Sequence, residues 1–92
     1  MAMLPLKMAI VVTISEHSNL TLEGIMECLH KDYGTERQFN KNNFSHLLHA
    51  LKAVGLIKRA GILTDGGHEV EEQYGITPTG INYMKNFPKY ES

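Results

Sequence analysis

Two nine-residue runs, Leu56–Thr64 and Glu69–Thr77, lie on either side of Asp65-Gly66-Gly67. The Asp-Gly-Gly triplet supplies the positive-φ backbone that a tight antiparallel turn needs, so this part of the chain reads as a β-hairpin. The segments before and after it carry apolar residues at the spacing of helices, which places the chain in the α+β class. At 92 residues the chain has room for one domain, residues 1–92, with a single modest core.

Pro5 suits the first turn of a helix. Leu6, Met8, Ala9, Ile10, Val11, Val12 and Ile14 follow it, apolar on more than one face, until Ser15-Glu16-His17-Ser18-Asn19 ends the run. The β-branched IVVTI would also suit a strand, but a run of about eleven residues is long for one, and it is read as a helix. A helix apolar nearly all round is either central to its domain or shared with a partner. Leu20 is read as briefly extended before Thr21, which caps a second helix with Leu22, Ile25, Met26 and Leu29 at helical spacing. Cys28 on that helix is read as a small buried apolar residue; as the single cysteine it excludes an internal disulfide and points to a reducing, intracellular compartment.

After the loop Thr35–Phe39, Asn40 caps a third helix. Phe44, Leu47, Leu48, Leu51 and Val54 form one apolar stripe along it, and Lys41, Asn42, Asn43, Ser45, His46, His49 and Lys52 take the opposite face. Gly55 stops this helix. Past the hairpin, Thr77 caps a last helix with Pro78 at its first position and Ile81, Met84 and Phe87 at spacing three, a stripe that Tyr90 extends. Nothing is long or apolar enough to span a bilayer, and no signal-peptide cleavage site follows the short run Met8–Val12.

The formal net charge of −1 hides an asymmetry. Residues 30–59 hold six bases (Lys31, Arg37, Lys41, Lys52, Lys58, Arg59) against two acids, whereas acids are in excess in the segments on either side. Local fields, more than net charge, steer a polyanion.

The order is helix, short strand, helix, helix, two-stranded hairpin, helix. With it the chain resembles the winged helix-turn-helix domains of the MarR and PadR families of regulators. Three features carry the resemblance: the helix pair Thr21–Asp32 and Asn40–Val54; LKAVGLIKR, similar to the family's exit from that helix into the first wing strand; and YGITPTGINYM at 74–84, similar to its Tyr-X-Leu-Thr-X-X-Gly-X-X-Tyr exit from the wing. The resemblance implies a winged-helix regulator that binds double-stranded DNA. The residue chemistry agrees. A helix reads the major groove when its outer face carries short donors and acceptors and few acids, and no Asp or Glu lies between Arg37 and Asp65. Asn42, Asn43, Ser45, His46 and His49 meet that description. Lys41, Lys52, Lys58 and Arg59 suit phosphates, and Thr21 at a helix N-terminus adds a backbone contact to phosphate.

The wing departs from the pattern. Its tip is Asp65-Gly66-Gly67-His68, followed by Glu69, Glu71 and Glu72, acids that would repel phosphates. Either only Gly66, Gly67 and His68 approach DNA, or the hairpin is a protein-contact surface, and the alternative reading is an interaction module that uses it. A thiol- or imidazole-based metal sensor built on Cys28, His30, His46 and His49 is a third class. It lacks any Cys-X-X-Cys or His-Glu-X-X-His spacing, so neither metal nor cofactor is expected. No phosphate loop or nucleophile motif points to an enzyme. Tyr33, Phe39 and Tyr74 are too scattered for a base-stacking platform and read as packing residues. The apolar ends, Leu6, Ile10 and Ile14 with Ile81, Met84 and Phe87, suggest a homodimer presenting two reading helices to a palindromic site. The small size, with no effector segment in the sequence, fits an intracellular regulator carried by a virus or plasmid.

Overall fold

The computed structural model describes residues 4–17 and 19–86, and the side chains of 63–65 and 68–70 lie outside that description. Its elements are α1 (Leu6–Glu16), β1 (Leu20–Thr21), α2 (Leu22–Tyr33), α3 (Lys41–Ala53), β2 (Ile57–Asp65), β3 (His68–Ile76) and α4 (Pro78–Met84). The two long strands begin and end one residue away from the runs read in the sequence.

Of the two roles open to a helix apolar all round, α1 takes the central one. It packs on α2, β3 and α4, and Leu6, Ala9, Ile10, Val11, Val12, Thr13 and Ile14 are all buried. The buried Thr13 hydroxyl donates to the Ala9 carbonyl at 2.8 Å, so no polar group is stranded. This overturns the expectation that Leu6, Ile10 and Ile14 face a second copy. They are 5%, 0% and 2% exposed in a single chain, because three elements already surround the helix.

Thr21 serves both neighbouring elements. As part of β1 it pairs with Gln73 of β3, and its hydroxyl oxygen accepts the Gly24 N–H at 3.2 Å to cap α2. Ile25, Leu29 and Tyr33 form the buried stripe of α2, and the Tyr33 hydroxyl donates to the Leu4 carbonyl. Cys28 is exposed, contrary to expectation: it lies about 60° around the helix from the edge of that stripe. On α3, Phe44, Leu48 and Leu51 are buried, and Phe39 stands edge-on to both His30 and Phe44 with ring centroids 5.6 and 5.1 Å apart. Val54 leaves the stripe. The helix ends at Ala53, and the turn into Gly55, at φ +82°, leaves Val54 63% exposed.

The sheet is antiparallel in the order β1-β3-β2. Gly66 and Gly67, both at positive φ, make the turn between β2 and β3 that Asp-Gly-Gly announced. At its base the hairpin is tied back to α3. The Thr77 hydroxyl lies 2.6 Å from the Gly55 carbonyl and 3.0 Å from that of Leu56, and its oxygen accepts the Gly80 N–H at 2.9 Å to cap α4. A Cβ on Gly80 would sit 2.2 Å from the Leu56 carbonyl oxygen, so only glycine lets α4 seat there. That close approach sets the inner face of α4. Gly80 is buried and Tyr83 and Met84 are half-buried, whereas Ile81 points outward and is 48% exposed. Of the stripe read from Ile81, Met84 therefore lies on the inner face and Ile81 does not. Phe87 and Tyr90 lie outside the described residues.

Candidate nucleic-acid interface

The outer face of α3 is built by the cap that starts it. The Asn40 side-chain oxygen accepts the Asn43 N–H at 2.7 Å, and the buried Phe44, Leu48 and Leu51 fix the rotation of the helix. With those three inward, Asn42, Ser45, His46 and His49 stand exposed together and line one shallow depression of about 270 Å³. Among the described residues, none of these four side chains is tied up in a hydrogen bond or ion pair. Asn43 does not join them. It is half-buried, and its amide nitrogen donates to the Gln38 carbonyl at 2.8 Å, so it braces the loop before the helix.

The bases that flank this face are held by carboxylates. Lys41 and Lys52 are eleven residues apart, close to three turns, and so share one shoulder of α3. Lys41 meets Glu23 of α2 at 2.9 Å, with both side chains exposed. The hydrogen bond and charge of Glu23 raise the Lys41 pKa. Lys52 bonds both oxygens of Glu72, on β3, at 3.1 and 3.3 Å. Arg59 of β2 lies 3.8 Å from the same carboxylate. The Lys52 hydrogen bond is the main reason the Glu72 carboxyl is held below the usual range, with bonding from Tyr74 and the charges of Lys52 and Arg59 adding to it against the opposing effect of burial. Burial, helped by the negative Glu72, pushes the Tyr74 hydroxyl up to about 12. A second depression, of about 410 Å³, is this cleft. It is lined by Leu22, Glu23, Lys41, Glu71, Glu72 and Tyr74.

Lys58 and Arg59 do not act as a pair. Successive residues of a strand point to opposite faces. Arg59 therefore shares the Glu72 side of the hairpin, while Lys58 lies on the side of Gly75 and Ala60. Lys58 is exposed and has no ion pair among the described residues. Gly66 and Gly67 are exposed at the tip, and the side chain of His68 lies outside the description. Thr21 is half-buried at the start of α2, its oxygen already engaged with Gly24. No group of three or more His, Cys, Asp or Glu side chains comes together as a metal site among the described residues. In that same portion no helix is long and apolar enough to cross a membrane. The carboxylate partners Glu23, Glu72 and the neighbouring Tyr74 were missed in the sequence. Nothing in it marks pairings between elements 18 and 20 residues apart.

A capped helix pair, a third helix beneath it and a glycine-tipped hairpin tied to the exit of α3 define a winged helix. No family model matches the chain, and no curated protein matches it. Among solved structures, the crystal structure of Bacillus subtilis PadR in complex with operator DNA superposes with a TM-score of 0.72 at 18% identity, covering 95% of this chain and 51% of that one. The chain thus spans about half the length of that protein. The likeness carries the fold: the PadR-like winged helix inferred from LKAVGLIKR and YGITPTGINYM is the one the chain adopts.

Proposed function

We propose that this protein binds double-stranded DNA and regulates transcription by occupying a site, without chemistry of its own, with the open face of α3 in the major groove. The observation that carries the reading is that face itself. Asn42, Ser45, His46 and His49 are exposed together on an acid-free helix, in a fold shared with a protein solved on its operator. Asn42 has the geometry to bond an adenine edge through both amide atoms, and the imidazoles offer either a donor or an acceptor to other bases. The backbone N–H groups at the start of α2, beside Thr21, suit a phosphate. Lys58 is the base readiest to take another, and Lys41, Lys52 and Arg59 join it when they leave their carboxylates. Gly66 and Gly67, with His68, are the parts of the wing that approach the duplex. An intracellular location follows from this role.

Pairing of two copies on a palindromic site belongs to the proposal only through α4. There Ile81 is exposed and Met84 lies partly buried beside the core. The alternative, a protein-contact module using the acidic hairpin, is weakened because Glu72 is engaged by Lys52 and Arg59. A salt titration of binding to duplex DNA of random sequence separates the two. DNA binding gives log K falling linearly with log salt, by about 0.9 for each phosphate contacted. Absence of binding at low salt rejects the DNA reading in favour of the protein contact.

A further inference from the structure

Every base on the wing-facing shoulder of α3 is matched to a carboxylate, whereas no base-reading side chain is. Glu72 draws in Lys52 from α3 and Arg59 from β2, two elements that a DNA backbone would also have to reach. Glu23 holds Lys41 at the opposite end of the same shoulder. We infer that Glu23 and Glu72 act as built-in competitors of DNA phosphate, lowering affinity for duplex of arbitrary sequence and leaving the readout by Asn42, Ser45, His46 and His49 to decide where the protein stays. The inference rests on the DNA reading above.

The physical reason is an exchange. A lysine already neutralised by a carboxylate releases fewer counterions from DNA, because it must first give up its partner. Once it does so, the vacated carboxylate stands next to the phosphate and repels it. The exposed Lys41–Glu23 pair is weak and opens readily, and the Lys52–Glu72 pair, half-buried, still reaches solvent, so the device lowers affinity without forbidding contact. The cost falls equally on every sequence. Base-edge contacts are unaffected, so sequence-blind binding weakens in absolute terms and base readout supplies a larger share of the binding energy that remains. In a protein of formal net charge −1, this leaves little sequence-blind attraction.

The test measures binding to random duplex DNA across a salt series for the intact protein, Glu72→Gln, Glu23→Gln and a charge-matched control, Glu16→Gln. Glu16 is exposed at the end of α1 and pairs with no base among the described residues. Freeing Lys52 and Arg59 should steepen the slope of log K against log salt by about 0.9–1.8, and freeing Lys41 by about 0.9, one or two further phosphates. The control should leave the slope unchanged. The Glu23 side chain is 61% exposed, so Glu23→Gln keeps the test open even if Glu72→Gln folds poorly. Unchanged slopes in both variants, with the intact protein binding, overturn the inference and leave the DNA reading standing. Equal steepening by the control also overturns it, since net charge alone then accounts for the effect. If neither the intact protein nor any variant binds, the DNA reading falls and the inference falls with it.

Discussion

α1 and α3 are helices of 11 and 13 residues, and the chain uses them in opposite ways. α1 is apolar over most of its circumference, so three elements close over it and bury seven of its eleven residues. α3 buries one stripe and leaves the rest to solvent, so its side chains on the outer face answer to no packing constraint. In a domain this small, only a helix that is not needed on all sides is free to carry a function. The same contrast says where a substitution should register: in stability on α1, in binding on α3.

The largest effect should come from the central helix. Ile10→Ala removes a side chain that is 0% exposed and should lower stability by about 2–5 kcal/mol, measured by denaturant titration. A loss of only a few tenths would mean that α1 is less enclosed than described, and would reopen it as an interface. On α3 the expectation reverses. Asn42→Ala and His46→Ala should each weaken binding to a preferred duplex by about 1–3 kcal/mol while leaving the melting temperature nearly unmoved. A lowered melting temperature with intact binding would show that the outward face of α3 has been misassigned. The smallest effect belongs to α4, which lies between the two extremes. Ile81→Ser should leave stability within about 0.5 kcal/mol yet weaken self-association in sedimentation at micromolar concentration. An intact protein that already sediments as a monomer would remove α4 as a contact between copies.

What the sequence made legible was local. Thr21, Asn40 and Thr77 cap the helices where a short side chain precedes an amphipathic run. Gly55 and Gly66-Gly67 mark backbone that other residues rarely adopt. Each is decided within a few residues, so a pattern suffices. Contacts between elements were not legible. The outward turn of Ile81 follows from Gly80 sitting against the Leu56 carbonyl, and counting apolar residues gives a glycine no weight. Val54 looked like the end of a stripe because the pattern does not say that the helix stops one residue earlier. The open face of α3 was readable because it needs only its own period. The masking of its flanking bases was not, since Glu72 finds Lys52 only after the hairpin has folded back over the helix.

The bond between Thr77 and Gly55 joins residues 22 apart in the chain, so everything between them leaves and returns at the same point. In terms of descent, this makes the wing a cassette. Residues can be added or exchanged at Gly66-Gly67 while α3 and α4 keep their seats, and lengthening the loop costs only about 0.6 kcal/mol for each doubling. A lineage of such proteins can therefore replace an acidic wing with a basic one, or a short one with a long one, and keep the same reading helix.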